Sequence, residues 1–478
     1  MTTKTLFVVI QLFFVSLISA QTAVGWLVEE SLTDSLSVKE LSFHTCLKPY
    51  FRQKVNLKRQ IQLSEKIGLL PLTDIGGQYD ISRNLNYRAG LGFALETEPF
   101  KKSYLRVGAL GMYGNFNLPF EPYYLSELTQ NVYFQPTARF SYTPNSIFNF
   151  QIGMDENFIG EGSRSLLLGD YGRSYPFGQI NANFWRIQYT LLYQFMQERF
   201  QDKNRGKFIA SHLLSWNATK NLNFNVFESV VFQPRDTLLY RGFEVEYLNP
   251  IVFFRPQEYA IGSSDNVLIG AGFNFHWKKQ MIYGQGVLDE FLLSAFRERN
   301  GWWGNKFGAQ LGWKGKHDFG ALPLFYRVEA NFVRPFTYTH LNAMANYGNR
   351  GASIAHPLGA NFAEVLIEGK TKIKELNIQL FLSGGWQGFD KDNKSYGGNI
   401  YRPYTQRPGD LGFTIGSGEK NNFVRGIIHV SKFILREGNI HAFGEIQFRY
   451  NSSSLLNKYS VLPTIGLRSN LWNDYRNF

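Results

Sequence analysis

The sequence lacks disulfide chemistry and long apolar runs. Cys46 is its only cysteine, so no intramolecular disulfide forms, which excludes a disulfide-stapled secreted domain. Beyond the first 20 residues the apolar runs are short, and residues 251–254 are typical of the longest. A helix needs ~20 consecutive apolar residues to span a bilayer. The sequence therefore predicts no transmembrane helix.

The motifs of common enzymes are also missing. No GxSxG or other nucleophile motif accompanies the 8 histidines, so a hydrolase that uses His356 is the weakest interpretation. No His/Cys spacing is typical of a metal site. We therefore predict a non-enzymatic protein with no catalytic residue, no metal and no cofactor.

Positive charge is in excess but scattered. Lys and Arg number 50 against 38 Asp and Glu, which gives a net charge of +12. No dense basic run interleaves with base-stacking motifs, so we predict no nucleic-acid partner. A positive surface or lumen facing anionic lipid or acidic polysaccharide is the interpretation that this charge favours.

Aromatic residues and glycine are abundant and follow a two-residue period. Phe, Tyr and Trp make up 16% of the chain, and glycine occurs 45 times. In residues 183–196 apolar side chains alternate with Arg186, Gln188 and Thr190, which is the period of a strand. The alternation recurs at 87–96, 105–113, 132–142, 148–155, 208–216, 222–232, 267–277, 281–289, 305–313, 324–333, 362–369, 376–384, 423–432, 440–451 and 460–472. One such strand also fits a soluble sandwich, but this recurrence favours a membrane barrel.

These strands predict an all-β fold, an antiparallel transmembrane β-barrel of about 16 to 18 strands in the bacterial outer membrane, with membrane lipid as a partner. Trp216, Trp277 and Trp313 stand near strand ends, where interfacial girdles form. Short connections at 217–220, 278–280, 371–374 and 436–438 alternate with long ones at 233–265, 291–304, 334–361 and 387–421. We expect the short connections to face the periplasm and the long ones to lie outside the cell.

The chain divides into three parts. Residues 1–20, with Lys4, an apolar stretch and Ala20, predict a secretory signal peptide. Residues 21–79 have a mixed pattern broken by Pro49 and Pro71, and predict a short non-barrel segment in the periplasm or the barrel mouth. Residues 80–478 predict the barrel.

Counting strands from the C-terminus places the connection between residues 155 and 183 at the periplasmic end of the barrel. This connection is long, whereas periplasmic turns are usually short. Either it folds into the lumen as a plug, or it hides a short strand. It is rich in acids and glycine, and these carboxylates could instead bind a cation or a sugar. We favour a structural ion pair in which Arg164 binds Asp155 or Glu161 and locks a buried loop.

The outer segments combine aromatic side chains with Asn, Arg and Gly. An aromatic ring covers the apolar face of a sugar, and Asn and Arg bond its hydroxyl groups. The sequence therefore predicts a glycan-binding surface, with loop packing or an interfacial girdle as the alternative. Its candidate residues are Trp302, Trp303, Asn305, Tyr347 and Tyr401.

Several separate motifs resemble, in order along the chain, those of the capsule assembly Wzi family, and most closely its RemB-like branch associated with gliding motility. They include Tyr175-Pro176-Phe177, Phe254-Arg255-Pro256, Gly301-Trp302-Trp303-Gly304-Asn305 and His356-Pro357-Leu358-Gly359. The resemblance implies an outer membrane barrel of about 18 strands and a surface lectin that anchors capsular polysaccharide. For the branch it implies gliding motility, with motility or secretion machinery as partners. A pore for small solutes is the alternative function.

Overall fold

The computed structural model describes residues 44–49, 61–64, 66–79, 85–115, 126–129, 131–172, 174–200, 203–234, 247, 265–320, 322–435, 440–454 and 457–469. The predicted signal peptide at 1–20 lies outside these residues, as does the Phe254-Arg255-Pro256 motif.

The described chain is nearly all β-strand. In order the strands are β1 (Leu47–Lys48), β2 (Ile61–Ser64), β3 (Ile67–Tyr79), β4 (Leu85–Thr97), β5 (Ser103–Gly114), β6 (Ser126–Thr129), β7 (Val132–Tyr142), β8 (Phe148–Asp155), β9 (Phe158–Ile159), β10 (Tyr175–Phe184), β11 (Ile187–Phe200), β12 (Lys203–Asn217), β13 (Leu222–Phe232), β14 (Asn266–Trp277), β15 (Gln280–Glu290), β16 (Lys306–Phe319), β17 (Leu322–Val333), β18 (Gly348–Asn349), β19 (Ala352–Ser353), β20 (Phe362–Ile373), β21 (Leu376–Phe389), β22 (Glu419–Leu435), β23 (Ile440–Ser452) and β24 (Asn457–Ser469). The described residues also form one short α-helix, α1 (Leu293–Glu298), between β15 and β16, and two single-turn 3-10 helices at Ala343–Ala345 and Tyr404–Gln406.

Eighteen of these strands close an antiparallel barrel, as the sequence predicts. Each strand pairs with its chain neighbour, and β24 closes the ring on β3. The short strands β2 and β6 pair beside β3 and β7, while β1, β9, β18 and β19 form two small sheets apart from the wall. A closed wall leaves no unpaired strand edge, which is what hydrocarbon requires of a sheet.

The two faces of the wall have opposite chemistry. Large apolar side chains point outward, and Leu91 is 69% exposed and Ile465 72% exposed. Arg106 and Arg139 point into the lumen and are fully buried. A face of such apolar side chains is stable only against lipid, so the barrel spans a membrane. Among the described residues, no helix is long and apolar enough to cross a bilayer.

Connections at the two ends of the barrel differ in length. Two-residue turns at 185–186, 278–279 and 374–375 lie at one end, where β24 also finishes. The segments 334–361 and 390–418 lie at the other end. Short turns face the periplasm in barrels of this kind, so the long segments are external, as predicted. The predicted turn at 436–438 lies outside the described residues.

One barrel strand, β10, is missing from the sequence-based count. Its lumen-facing side carries Tyr175 and Phe177, both buried, whereas its lipid-facing side carries Pro176 and Gly178. The first half of this strand therefore has inverted polarity, whereas its second half is ordinary, with Gln179 inward and Phe184 outward, so too short a stretch shows the alternation of a membrane strand. Because of this strand, the connection after β8 falls on the external side, and the predicted parity upstream was wrong.

The predicted boundary of the barrel at residue 80 is too late, because β3 is part of the wall. Leucines occupy both faces of this strand, so no clean alternation is visible. Pro71 lies between the residues that pair with β2 (67–69) and those that pair with β24 (74–78). Neither β2 nor β24 pairs with β3 at this position, so the missing N–H of proline costs no strand-to-strand hydrogen bond there.

Candidate functional site

The connection after β8 runs into the lumen, and we call its residues 156–172 the plug. Its entry is fixed by a buried cluster on the wall. The Asp155 carboxylate accepts hydrogen bonds from Arg106 at 2.6 Å and Arg139 at 2.9 Å. Arg139 also donates to the Asn157 side chain at 3.0 Å. One guanidinium therefore ties the wall to the start of the plug.

The plug is bonded to wall strands across the lumen. The Glu329 carboxylate accepts from the backbone N–H of Ser163 at 2.9 Å and of Arg164 at 3.3 Å. A Cβ on Gly162 would lie 2.4 Å from the Glu329 carboxylate, so only glycine allows this approach. Further along the wall, Gln285 donates to the Ile159 carbonyl at 2.9 Å. These bonds cross from β8 to β15 and β17, so the plug spans the lumen. The two alternatives that the sequence left open for this connection, a plug and a hidden strand, therefore both occur.

The middle of the plug is apolar. Leu166, Leu167 and Leu168 are fully buried. Leu167 packs over Gly270, where a Cβ would lie 2.3 Å from the leucine side chain. From the external segment 334–361, the Tyr338 hydroxyl donates to the Leu166 carbonyl at 2.7 Å. The plug and this segment therefore share one core.

The predicted ion pair inside the plug has different partners. Asp155 is bonded to the wall arginines described above. Glu161 is bonded to Thr45 and Asn274, and the Lys314 ammonium lies 3.3 Å from its carboxylate. The Arg164 guanidinium lies over the Phe381 ring, 5.6 Å from its centroid. The carboxylates lock a buried loop, but the cations that bind them come from wall strands.

A piece of the N-terminal region also lies in the lumen, beside the plug. β1 pairs with β9, and Gly160 donates its N–H to the Cys46 carbonyl at 2.7 Å. His44 lies 2.8 Å from the Ser215 hydroxyl on the wall. Burial raises the pKa of the Cys46 thiol to about 12. The predicted mouth or periplasmic segment therefore contributes residues 44–49 to the lumen filling.

The external segment 334–361 crosses the mouth of the barrel. It leaves β17, and at its far side the Arg350 N–H donates to the Gln197 carbonyl on β11 at 2.8 Å. Lys207 on β12 donates to the Asn346 side chain at 2.7 Å. The chain then returns through His356, whose Nε2 lies 3.2 Å from the Glu364 carboxylate. The mouth is therefore bridged from one wall to the other.

His356, the candidate residue of the hydrolase alternative, is fully buried. Its Nδ1 accepts the N–H of Leu358 at 3.1 Å, so the ring hydrogen lies on Nε2 and is donated to Glu364. Burial lowers the pKa of His356 and favours the neutral ring. These contacts fit a loop-packing role.

Two of the predicted glycan-binding residues are internal. Tyr347 is fully buried, and its hydroxyl donates to the Leu167 carbonyl at 2.8 Å. Asn305 is 3% exposed and accepts the Leu292 N–H at 2.7 Å. Both side chains hold loops together, so the surface prediction was wrong for them. Tyr401 is half-buried, with its hydroxyl 2.9 Å from Glu198 and 2.8 Å from the Ala352 carbonyl.

Trp302 and Trp303 are half-buried at the external surface, where the segment 390–418 folds against them. The Trp303 and Tyr404 rings lie 4.6 Å apart between centroids, and Arg407 lies 4.1 Å over the Trp303 ring. Asp410 binds Arg407 at 2.6 Å. We call Trp302, Trp303, Tyr404, Arg407 and Asp410 the outer cluster.

The outer cluster has the chemistry that sugar recognition needs. It offers indole and phenol rings beside a guanidinium and a carboxylate that bond hydroxyl groups. The charges beside these rings are paired: Lys306, which lies 4.4 Å from the Tyr404 ring centroid, binds Glu290 at 3.0 Å, and Arg407 binds Asp410. Arg407 and Asp410 were not predicted, although their spacing of three residues between aromatic residues was a readable signal.

Comparisons with known proteins agree with this architecture. No protein-family model and no curated protein matches the sequence. The fold is similar to that of Wzi, an outer membrane protein involved in group 1 capsule assembly in Escherichia coli and a carbohydrate-binding β-barrel, with a TM-score of 0.58 and 13% identity over 95% of this chain and 99% of that chain. The Pseudomonas aeruginosa proteins OpdK and OprD both give a TM-score of 0.44 at 8% identity, with 84% and 86% of this chain and 97% and 98% of theirs covered. The likeness to Wzi shows the fold, and this chain is an outer membrane β-barrel.

Proposed function

We propose that this protein binds surface polysaccharide at the outer cluster without chemical conversion, and so retains capsule at the cell or supports gliding. The observation that carries the proposal is the external position of the outer cluster above a lumen that the plug crosses. A filled lumen with an aromatic and charged outer surface suits binding better than transport. The carbohydrate-binding activity of Wzi, which has a similar fold, supports the same assignment.

The long external segments that the structure describes carry an excess of positive charge, which favours an acidic glycan. Segments 291–305, 334–361 and 390–418 together carry 8 Lys and Arg against 4 Asp and Glu, whereas the sequence of 233–265 carries 3 against 5. Positive potential attracts an anionic polymer and raises its local concentration. The branch associated with gliding, and motility or secretion machinery as partners, remain predictions from the sequence motifs.

Passive transport is the second candidate. The wall is lined with polar and charged side chains, such as Gln151, Asn181 and Gln447, as in water-filled barrels. A conducting protein would need the plug to move, which electrical recordings detect.

Deletion of the gene and labelling of the cell-surface polysaccharide tests the proposal. We expect cells without the protein to lose retained polysaccharide or to glide poorly. A chain with Trp303→Ala and Arg407→Gln should fail to restore the phenotype. Trp386→Ala should restore it, because Trp386 is a comparable tryptophan with Lys420 at 5.0 Å, on the lipid-facing side. Normal polysaccharide and normal gliding in the deletion strain would refute the proposal.

A further inference from the structure

Four tryptophans stand together at the periplasmic end of the barrel. Trp185 is 83% exposed, Trp277 60%, Trp313 44% and Trp216 41%. All four lie on β10 to β17 or their turns, which are consecutive neighbours in the wall. The described periplasmic turns at 98–102 and 143–147 carry no tryptophan. The tryptophans of the described periplasmic end therefore occupy one sector, whereas turns elsewhere carry Phe100 and Phe148.

The same sector is rich in cations. Its exposed or half-exposed basic side chains are Arg186, Lys220, Lys278, Lys279 and Lys316. Asp318 is the acid of these turns and binds Lys279 at 2.8 Å. In the described part of the chain, no carboxylate pairs with Arg186, Lys220 or Lys278. Arg186 lies 5.6 Å from the Trp185 ring centroid, and Lys278 5.6 Å from that of Trp277. We call the four tryptophans and these five basic residues the Trp–cation sector.

In two of these turns, a residue with a large side chain has a positive φ angle, which is an unfavourable backbone conformation. Trp185 has φ 52° and Lys278 has φ 55°, and each is the first residue of a two-residue turn. Glycine or asparagine is the ordinary choice in this left-handed region, which bulky side chains rarely adopt. The ring and the ammonium group are thereby held at the tip of each hairpin.

We propose that the Trp–cation sector binds the headgroups of anionic phospholipids in the inner leaflet of the outer membrane. Indole rings prefer the depth of the lipid headgroups. Lys and Arg at a membrane surface attract anionic lipid by about 1 kcal/mol each, or about fivefold in affinity. The strands directly above present apolar side chains to the acyl chains, and Phe184 is 49% and Ile282 44% exposed.

A lipid fits this surface better than a soluble polyanion does. Trp216, Trp277 and Trp313 lie on the lipid-facing side of their strands, where a water-soluble polymer has no access. The cations stand at the same end of the same strands. A ligand that contacts both must carry an anionic headgroup and acyl chains. The sector would fix the depth and tilt of the barrel with a localised lipid shell, independently of glycan binding.

Native mass spectrometry of the purified barrel, titrated with phosphatidylglycerol or with phosphatidylcholine of the same acyl chains, tests this. We expect a preference for phosphatidylglycerol of about tenfold or more. The triple variant Arg186→Gln, Lys220→Gln and Lys278→Gln should abolish that preference, because each lost cation costs about fivefold in affinity. A matched triple at the external end, Arg297→Gln, Lys391→Gln and Lys394→Gln, removes the same charge and should keep it. Heat-dependent migration on gels confirms that each variant is folded.

Two results would overturn the assignment. One is a preference that the periplasmic triple variant retains, or that both triple variants lose equally, since the effect would then follow net charge alone. The other is competition by inorganic phosphate at the same phosphate concentration, which would show a simple anion site. If the triple variant does not fold, Lys220→Gln alone should still give about a fivefold change.

Discussion

Replacing Glu329 with alanine should loosen the plug. The carboxylate accepts two plug N–H groups, from Ser163 and Arg164, inside the lumen. Each buried hydrogen bond of this kind contributes about 1–2 kcal/mol, so the two together contribute about 3 kcal/mol. That free energy corresponds to a rise of roughly 100-fold in the population with the plug displaced. Glu329→Gln keeps one acceptor oxygen, and its effect should be smaller.

Single-channel recording in planar bilayers measures this displacement. We expect the unmodified barrel to be almost silent, Glu329→Ala to open frequently, and Glu329→Gln to lie between them. Glu445→Ala is the matched control, because this lumenal carboxylate contacts His429 and Gln447 on the wall. Equal conductance in the unmodified barrel, Glu329→Ala and Glu445→Ala would refute the idea that the plug closes the lumen.

Three further changes test other parts of the structure. Asp155→Asn leaves two buried arginines without their carboxylate and should lower the free energy of unfolding in urea by about 3–5 kcal/mol, against under about 1 kcal/mol for Lys279→Ala in an exposed pair. Burial lowers the pKa of His340 from 6.5 to about 4, so the unfolded chain binds more protons. Stability should therefore fall as the pH drops from 6.5 towards 4, by an amount approaching about 3 kcal/mol, and His340→Gln should remove that part of the pH dependence. Cys46 should resist maleimide in the folded barrel at pH 7 and react after unfolding; rapid labelling of folded protein would contradict its placement beside the plug.

The barrel could be predicted because lipid imposes a simple rule on every strand. A side chain that faces hydrocarbon must be apolar, so alternation is visible wherever the lumen face is polar. β10 breaks the pattern, since Tyr175 and Phe177 turn inward to pack in the core that contains Leu166–Leu168. These two positions are therefore aromatic because they contact the plug, which lies outside the strand itself.

The partners of the plug could not be predicted from local sequence. Glu329 and Lys314 are more than 140 residues from the plug residues that they bond, and only closure of the barrel brings them together. Arg164 was the nearest cation in sequence to Asp155 and Glu161, which made it the natural but incomplete choice.

The sequence alone also could not distinguish aromatic residues of the surface from those of the core. Tyr347 and Trp303 both stand in external segments with glycine and asparagine nearby. Tyr347 is buried because its segment turns down onto the plug, whereas Trp303 stays at the surface and meets Tyr404 and Arg407. Composition gives the chemistry of a candidate site, but the path of the loop decides its access to a ligand.

Binding calorimetry with polysaccharide fragments from the surface of the producing bacterium tests the central claim most directly. We expect the purified barrel to bind them, and Trp303→Ala with Arg407→Gln to weaken the affinity at least about tenfold, which is about 1.4 kcal/mol. Trp386→Ala should bind as the unmodified protein does. No binding by the unmodified barrel, or equal binding by all three proteins, would contradict a glycan site at the outer cluster.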